Sequence, residues 1–249
     1  MSSESKNLAK RVALVLSGGG LFGAWQAGAW RALAGRVQPD LVVGASVGSL
    51  NGYAIAGGAT PEELAQFWMR SGIARFGNLP GTIRALMSRY SPKVDYAVVL
   101  TDVLRLKPRV FVGKEVTWRH LAASCAIPGV LKPYRIGGRL YADGGLLNPL
   151  PVWAAVELGA THIIALHALP EVPSVWLRPF VKGFRRVAGH HPALPAGIEL
   201  TLIKTDGPLG SMSDSLRWRR ENMERWLAMG YGACQNISMP DCLLERLER

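Results

Sequence analysis

The chain of 249 residues carries 29 Lys and Arg against 18 Asp and Glu, a formal net charge of +11, and 49% of its residues are hydrophobic. This length and apolar content provide a stable core without a metal or disulfide, and they exclude a disordered or collagen-like protein. The 28 glycines are too many for a helical bundle and indicate tight turns or loops that face a ligand.

The amino-terminal part of the chain predicts strands that alternate with helices. After a polar lead-in over residues 1–10, the apolar, β-branched run 11–16 predicts a buried strand that ends at three glycines. Apolar residues at helical spacing then predict a helix over 21–33 with Gly35 as its cap. Residues 41–43 predict the next buried strand.

Two further helices are expected, over residues 47–57 and 64–71. The second starts at Thr60-Pro61-Glu62-Glu63, where a capping side chain, a proline and two acids predict a helix amino terminus. Residues 75–91 are mixed and basic, which favours a mobile flap. The apolar side chains near it could contact lipid as a lid or belong to the core: Met69, Phe76, Leu79, Leu86, Met87 and Tyr90.

The remaining elements continue the alternation, which predicts an α/β fold with a mostly parallel sheet. Strands are expected at 96–101, 109–112, 162–167 and 200–204, a short hairpin at 135–141, and helices at 116–124, 152–158 and 213–229. The last helix is amphipathic, is expected to end near Gly230, and carries four arginines and two tryptophans. Packing on the sheet is its predicted role.

The first candidate functional motif is the glycine loop Gly18-Gly19-Gly20-Leu21-Phe22-Gly23, between a strand and a helix. It matches the GxGxxG pattern of dinucleotide-binding proteins, but Asp40 precedes the second strand and no acid stands at its end. Two alternatives remain. The amides could point at a developing oxyanion from a helix amino terminus, or the glycines could serve only helix packing.

The second candidate motif is Gly44-Ala45-Ser46-Val47-Gly48, a GxSxG directly after a buried strand and before a helix. Glycines at these positions permit the sharp turn that lifts a nucleophilic serine hydroxyl above a sheet. The alternative is that Ser46 only caps the following helix.

A serine nucleophile needs a base, and the residues alone leave two arrangements open. In the first, an Asp and then a His follow the serine, as Asp143 is followed by His162, His167, His190 and His191. In the second, Asp143 of Asp143-Gly144-Gly145 takes the Ser46 proton directly. As an isolated motif, Asp-Gly-Gly usually forms a turn.

Together and in this order, four motifs resemble those of the patatin-like phospholipases. They are LSGGGLFG at 16–23, GASVGSLNG at 44–52, ASCAIPG at 123–129 and DGGLLNPLP at 143–151. The resemblance covers about residues 11–170, and MGYGA at 229–233 looks like the last helix of the family.

The resemblance implies a three-layer α/β/α fold and hydrolysis of lipid acyl esters through an acyl-serine, with no metal or other cofactor. It also implies a Ser–Asp dyad without histidine, with Ser46 as nucleophile and Asp143 as base. The oxyanion hole would be Gly18, Gly19 and Gly20, and the supporting motif glycines are Gly23, Gly44, Gly48, Gly144 and Gly145. We expect one acyl hydrolase domain over residues 11–249.

One position departs from the family pattern. The fifth position of the glycine loop is usually Arg or Lys, and here it is Phe22. Its side chain could line an acyl channel. It could also weaken the site, and the alternative function is then a catalytically weak or inactive protein that binds lipid or a partner on the same fold.

The positive charge is concentrated between Arg70 and Arg139, where 13 basic residues face three acids and leave a net charge of +10. Such a block favours an anionic partner, and with a lipid substrate it predicts contact with an anionic membrane surface. No nucleic-acid-binding signature accompanies the charge, so no nucleic acid partner is expected.

The cysteines and the amino terminus indicate the compartment. Cys125, Cys234 and Cys242 have unrelated spacings, which predict neither a disulfide framework nor a structural zinc site and favour a reducing environment. The apolar run that follows Arg11 is too short for a signal-peptide core. We therefore expect a cytoplasmic protein, with peripheral contact to a membrane.

Overall fold

Eight strands in the described part of the chain form one sheet. The computed structural model of the protein describes residues 10–70, 78–170 and 193–237. The strands are β1 (Val12–Leu16), β2 (Leu41–Ala45), β3 (Asp95–Asp102), β4 (Lys107–Val112), β5 (Tyr134–Ile136), β6 (Arg139–Ala142), β7 (His162–His167) and β8 (Glu199–Lys204). The helices are α1 (Gly23–Leu33), α2 (Val47–Ala56), α3 (Pro61–Met69), α4 (Leu79–Arg89), α5 (Trp118–Ser124), α6 (Val152–Glu157) and α7 (Arg220–Gln235).

Hydrogen-bonded neighbours in the sheet follow the order β5-β6-β3-β2-β1-β7-β8. Strands β6 and β2 pair with successive parts of one edge of β3, and β4 pairs with its opposite edge. The run β3-β2-β1-β7-β8 is parallel, whereas β4 and β6 pair antiparallel with β3. The predicted three-layer fold with a mostly parallel sheet is confirmed.

The central strands are apolar on both faces because helices cover both faces. In β1, Val12, Leu14 and Leu16 lie in the larger core, beneath α2 and together with residues of α1 and α5. Ala13 and Val15 lie in the smaller core on the opposite face, against Trp153 of α6. The period of two in a strand therefore distributes one apolar run between two cores.

The segment expected to be a flap contains a helix instead. Residues 79–89 form α4, where Leu79, Ile83 and Leu86 are buried at helical spacing and the basic side chains face outward. Met69, Met87 and Tyr90 pack against the same core. Phe76 lies outside the described residues. The described members of this apolar set are thus core residues, and the lid prediction was wrong for them.

Two helix ends also differ from expectation. Helix α1 ends at Leu33 with Ala34 as its cap residue, and Gly35 does not take the left-handed conformation of a glycine cap. Helix α7 begins at Arg220, later than predicted, and continues through Gly230 to Gln235. It packs mainly on α1 and also contacts β8 of the sheet.

The contact between α1 and α7 explains the glycine that was expected to end the helix. A Cβ atom on Gly230 would overlap the carbonyl oxygen of Trp25, and one on Gly28 would overlap that of Leu227. The two helix backbones touch at these glycines. Gly230 is therefore a packing residue and not a helix stop.

We expect Gly230→Ala to destabilise the protein by about 1–3 kcal/mol, because overlap with the α1 backbone outweighs the helix preference of alanine. Gly232→Ala is the matched control, since it lies in the same helix and a Cβ there meets no atom within 4 Å. It should be neutral or stabilise by up to about 1 kcal/mol. Urea unfolding of both variants measures the difference, and equal stability would contradict the helix contact.

Candidate active site

Three glycine-containing loops meet at the carboxyl edge of the parallel strands. A Cβ atom on Gly18, after β1, would lie 3.2 Å from the Cβ of Ser46, after β2. It would lie 3.6 Å from the Cα of Gly145, after β6. A side chain at Gly18 would therefore crowd Ser46. The structure thus brings together segments that are far apart in sequence.

Strand β3 aligns two of these loops. On one of its edges, β2 pairs with it in parallel up to Ala45, opposite Val99. Farther along the same edge, β6 pairs with it in the opposite direction and ends at Ala142, opposite Thr101. Strands β2 and β6 therefore end facing each other, one residue apart along β3. Ser46 and Asp143 are the next residues of the two strands.

Ser46 and Asp143 are joined by a hydrogen bond. The Ser46 hydroxyl donates to Oδ2 of Asp143 at 2.7 Å, and the Gly145 amide donates to Oδ1 at 2.7 Å. The Thr101 hydroxyl donates to the backbone carbonyl of Asp143 at 2.8 Å. Ser46 is 3% exposed and Asp143 is 7% exposed. The carboxylate is fixed on both oxygens in a site largely removed from water.

The backbone of Ser46 forms a sharp turn between β2 and α2. Its φ of 52° and ψ of −131° are a conformation that non-glycine residues rarely adopt. A Cβ on Gly44 would overlap the Gly48 carbonyl, and one on Gly48 would overlap the carbonyl of Leu16. The two glycines of the GxSxG motif are therefore required by backbone contacts on both sides of the serine.

The sequence analysis missed Ser124, at the carboxyl end of α5. Its buried hydroxyl accepts a hydrogen bond from the Ser46 amide at 2.8 Å and donates one to the Val99 carbonyl at 2.8 Å. It connects the strained turn to β3. Ser124 stands in the ASCAIPG motif, but a serine at a helix end carries no signal that distinguishes it from a cap or a surface residue.

The amides of the glycine loop differ in their hydrogen bonding. The Gly18 amide donates to the Pro149 carbonyl at 2.8 Å, so in this conformation it is not available to an oxyanion. The amides of Gly19 and Gly20 make no hydrogen bond with any residue that the structure describes. The Val47 amide, which the sequence analysis did not consider, begins α2 and cannot have an intrahelical acceptor.

A buried polar network fastens the glycine loop to α2, the helix that follows Ser46. Gln26 of α1 donates to the Ser17 carbonyl at 2.8 Å, and Asn51 of α2 donates to the Gln26 side chain at 3.0 Å. Asn51 also donates to the Gly23 carbonyl, and Trp68 donates to Asn51. Because each of these polar groups is paired in a dry core, the network fixes the relative position of the two loops.

Phe22 is a core residue. Its ring is fully buried and contacts Trp226 of α7 edge-on, with ring centroids 4.9 Å apart. The position that usually carries a cation in the family is used here for core packing. The interpretation of Phe22 as part of an acyl channel was wrong.

Cys125 and two histidines, His120 and His162, each have separate surroundings. Burial, and then the charge of Asp143, raise the pKa of the Cys125 thiol, so it stays protonated at neutral pH. His120 contacts Thr117, and His162 lies 3.4 Å from Glu199. His190 and His191 lie outside the described residues.

The described residues contain neither a metal-binding cluster nor a membrane-spanning helix. No group of three or more His, Cys, Asp or Glu side chains in residues 10–70, 78–170 and 193–237 is placed to hold a metal ion. In the same ranges, no helix has the length and apolar character needed to cross a bilayer.

Comparison with known proteins agrees with this geometry. A sequence model of the family described as patatin-like phospholipase matches residues 14–109 and 104–156, more than half of the chain. The chain belongs to the patatin-like phospholipase family. The match begins within β1 and ends within α6, so it includes Ser46 and Asp143.

Similar proteins occur in bacteria and animals. The chain is 30% identical over 210 residues to an uncharacterized NTE family protein of Mycobacterium tuberculosis, covering 69% of this chain and 56% of the relative. It is 29% identical over 180 residues to patatin-like phospholipase domain-containing protein 7 of Rattus norvegicus, covering 62% and 13%. It is 27% identical to neuropathy target esterase sws of Drosophila melanogaster over the same shares. The chain thus spans little more than half of the bacterial relative.

Among solved structures, the fold is similar to that of VipD from Legionella pneumophila. The TM-score is 0.52 at 13% identity, over 95% of this chain and 67% of that one. At this identity the similarity concerns the fold alone.

We expect Ser124→Ala to destabilise the protein by about 1–3 kcal/mol, because it leaves the buried Ser46 amide and Val99 carbonyl without their partner. Ser88→Ala is the control, since the exposed Ser88 hydroxyl bonds only the Ala85 carbonyl within α4. It should change stability by no more than about 0.5 kcal/mol. Urea unfolding compares the two, and equal values would argue against the Ser124 bridge.

Proposed function

We propose that the protein is a serine acyl hydrolase that cleaves fatty acyl esters of phospholipids or related lipids, with Ser46 as nucleophile and Asp143 as base. The observation that carries this proposal is the 2.7 Å hydrogen bond from the Ser46 hydroxyl to Oδ2 of Asp143. This hydrogen bond lies at the carboxyl edge of the parallel strands, where the glycine loop begins. Membership of the patatin-like phospholipase family supports the same chemistry.

In the first half-reaction, Ser46 Oγ attacks the ester carbonyl carbon while Asp143 accepts the hydroxyl proton. The tetrahedral intermediate collapses, the ester C–O bond breaks, and Asp143 returns the proton to the departing alcohol. In the second, Asp143 takes a proton from water, hydroxide attacks the acyl-serine, and the fatty acid leaves as Ser46 regains its proton. The same carboxylate acts as base and acid in each half.

The oxyanion hole is proposed at the amides of Gly19 and Gly20, with the Val47 amide as a further donor. Gly18, which the resemblance included in the oxyanion hole, is not proposed as a donor, because its amide donates a hydrogen bond to the Pro149 carbonyl. Gly18 instead permits the approach of the loop to Ser46. Amides that face a dry site need no reorganisation when the negative charge develops, which is why such donors are effective.

We further propose that residues 11–249 act as one catalytic domain and that the basic block from Arg70 to Arg139 contacts an anionic membrane. Each well-placed cation near such a surface contributes about 1 kcal/mol. The rival function, a weak or inactive binding protein, rested on Phe22 blocking or weakening the site. The packing of Phe22 against Trp226 argues against blocking. Weak activity through the missing cation is tested by the fluorophosphonate probe below.

We expect Ser46→Ala to abolish hydrolysis of a p-nitrophenyl ester while the melting temperature stays nearly unchanged. Asp143→Asn should lower turnover roughly 10²–10⁴-fold, the usual contribution of a positioned base. Turnover of the soluble ester and labelling by a fluorophosphonate probe measure both effects.

Asp206→Asn is the matched control, because Asp206 is exposed and lies after β8, outside the candidate site. It should keep wild-type turnover. Retained turnover in Ser46→Ala would refute the dyad. Absence of fluorophosphonate labelling in well-folded wild-type protein would favour the binding protein.

A further inference from the structure

Two tight turns project from the sheet on the side where the candidate site lies. The β3–β4 turn occupies residues 103–106, and the β5–β6 turn is formed by Gly137 and Gly138, both with positive φ. The Val103 amide donates to the Leu140 carbonyl at 2.9 Å, which joins the two hairpins. We call residues 103–109 and 135–139 the twin-turn surface.

The twin-turn surface stands beyond the nucleophile. Ala45 pairs with Val99, so Ser46 is level with Leu100, and the β3–β4 turn begins three residues farther along β3. At about 3.3 Å per residue, the turn begins roughly 10 Å above the level of Ser46. A flat surface that touched these turns would therefore face the edge of the sheet that carries the site.

The β3–β4 turn exposes two leucines. Leu104 is 80% exposed and Leu106 is 43% exposed. Leu106 has a φ of 48°, a conformation in which glycine would be less strained. Neither core packing nor the conformation of the turn requires a large apolar side chain at these positions. Their exposure therefore indicates an apolar partner.

The same surface is basic. It carries Arg105, Lys107, Arg109, Arg135 and Arg139, and no acidic residue occurs within its two segments. Arg139 lies 3.7 Å from Asp102, whose side chain is buried beneath the turns. Exposed cations around exposed leucines match the phosphate and acyl layers of an anionic bilayer. A nucleic acid would contact the cations but gain little from the leucines.

We propose that the twin-turn surface seats the protein on an anionic bilayer, with Leu104 and Leu106 among the acyl chains and the cations at the headgroup phosphates. This proposal rests on the proposed lipid hydrolysis. It narrows the membrane contact proposed for the basic block to the twin-turn surface. Arg84 and Arg89, by contrast, lie on α4, where Arg89 pairs with Glu63.

The test measures binding to vesicles of phosphatidylglycerol and phosphatidylcholine by co-sedimentation. All proteins carry Ser46→Ala, so no lipid is consumed and the result does not depend on hydrolysis. Leu104→Asp should weaken the apparent affinity at least about 10-fold, since a charge replaces an inserted apolar side chain. Leu104→Trp should tighten it, because a larger apolar side chain inserts more surface into the acyl layer. Arg105→Glu with Lys107→Glu should weaken binding most at low salt.

Leu202→Asp is the matched control, because Leu202 is 46% exposed on β8 at the opposite end of the sheet. It should change vesicle affinity less than about twofold. Melting temperatures check that each variant is folded.

Unchanged binding of Leu104→Asp, or an equal loss in Leu202→Asp, would overturn the proposal. So would tight, salt-sensitive binding of duplex DNA that competes with vesicles and survives Leu104→Asp. Binding that depends on Leu104, together with no esterase activity in the wild-type protein, would refute the proposed hydrolysis and leave this surface standing.

Discussion

The candidate site depends on the way two strands share one edge of β3. Strand β4 covers one edge, so β2 and β6 must both pair with the other, and they approach each other from opposite directions. The gap between their ends sets the distance from Ser46 to Asp143. Gly144 must lack a side chain because a Cβ there would overlap the Val99 carbonyl. The same carbonyl accepts a hydrogen bond from the Ser124 hydroxyl, so β3 also supports the turn that carries Ser46.

The surroundings of the dyad are rigid because their polar groups are paired and their backbones are in contact. The network from Ser17 through Gln26 and Asn51 to Trp68 ties the glycine loop to α2 and α3. Helix α1, which follows the glycine loop, is held in turn by backbone contact with α7 at Gly28 and Gly230. The strain at Ser46 is thus maintained by a core that extends well beyond the site. A preorganised site of this kind suits chemistry in which charge develops on one oxygen.

Much of this arrangement could be predicted from the sequence, because apolar runs and glycine motifs have local meaning. The runs that became β1, β2 and β7 were recognisable, and so was the strand–turn–helix around Ser46. The errors came where tertiary contacts decide. Gly230 has the composition of a helix stop, but it is the point where another helix packs. Leu79, Ile83 and Leu86 did carry a helical spacing, which the basic residues of the surrounding segment obscured. Nothing in the sequence could indicate that the Ser124 hydroxyl would reach Ser46.

The antiparallel arrival of β6 has a consequence for how this domain can vary. Ser46 and Asp143 are 97 residues apart in the chain, yet their separation is set by two residue pairs of β6 with β3 and not by the intervening length. Closing a longer loop adds little entropic cost. Insertions between the elements of this span would therefore leave the distance between hydroxyl and carboxylate unchanged. By contrast, deletion of a single residue from β6 would turn its side chains to the opposite face and separate the pair completely.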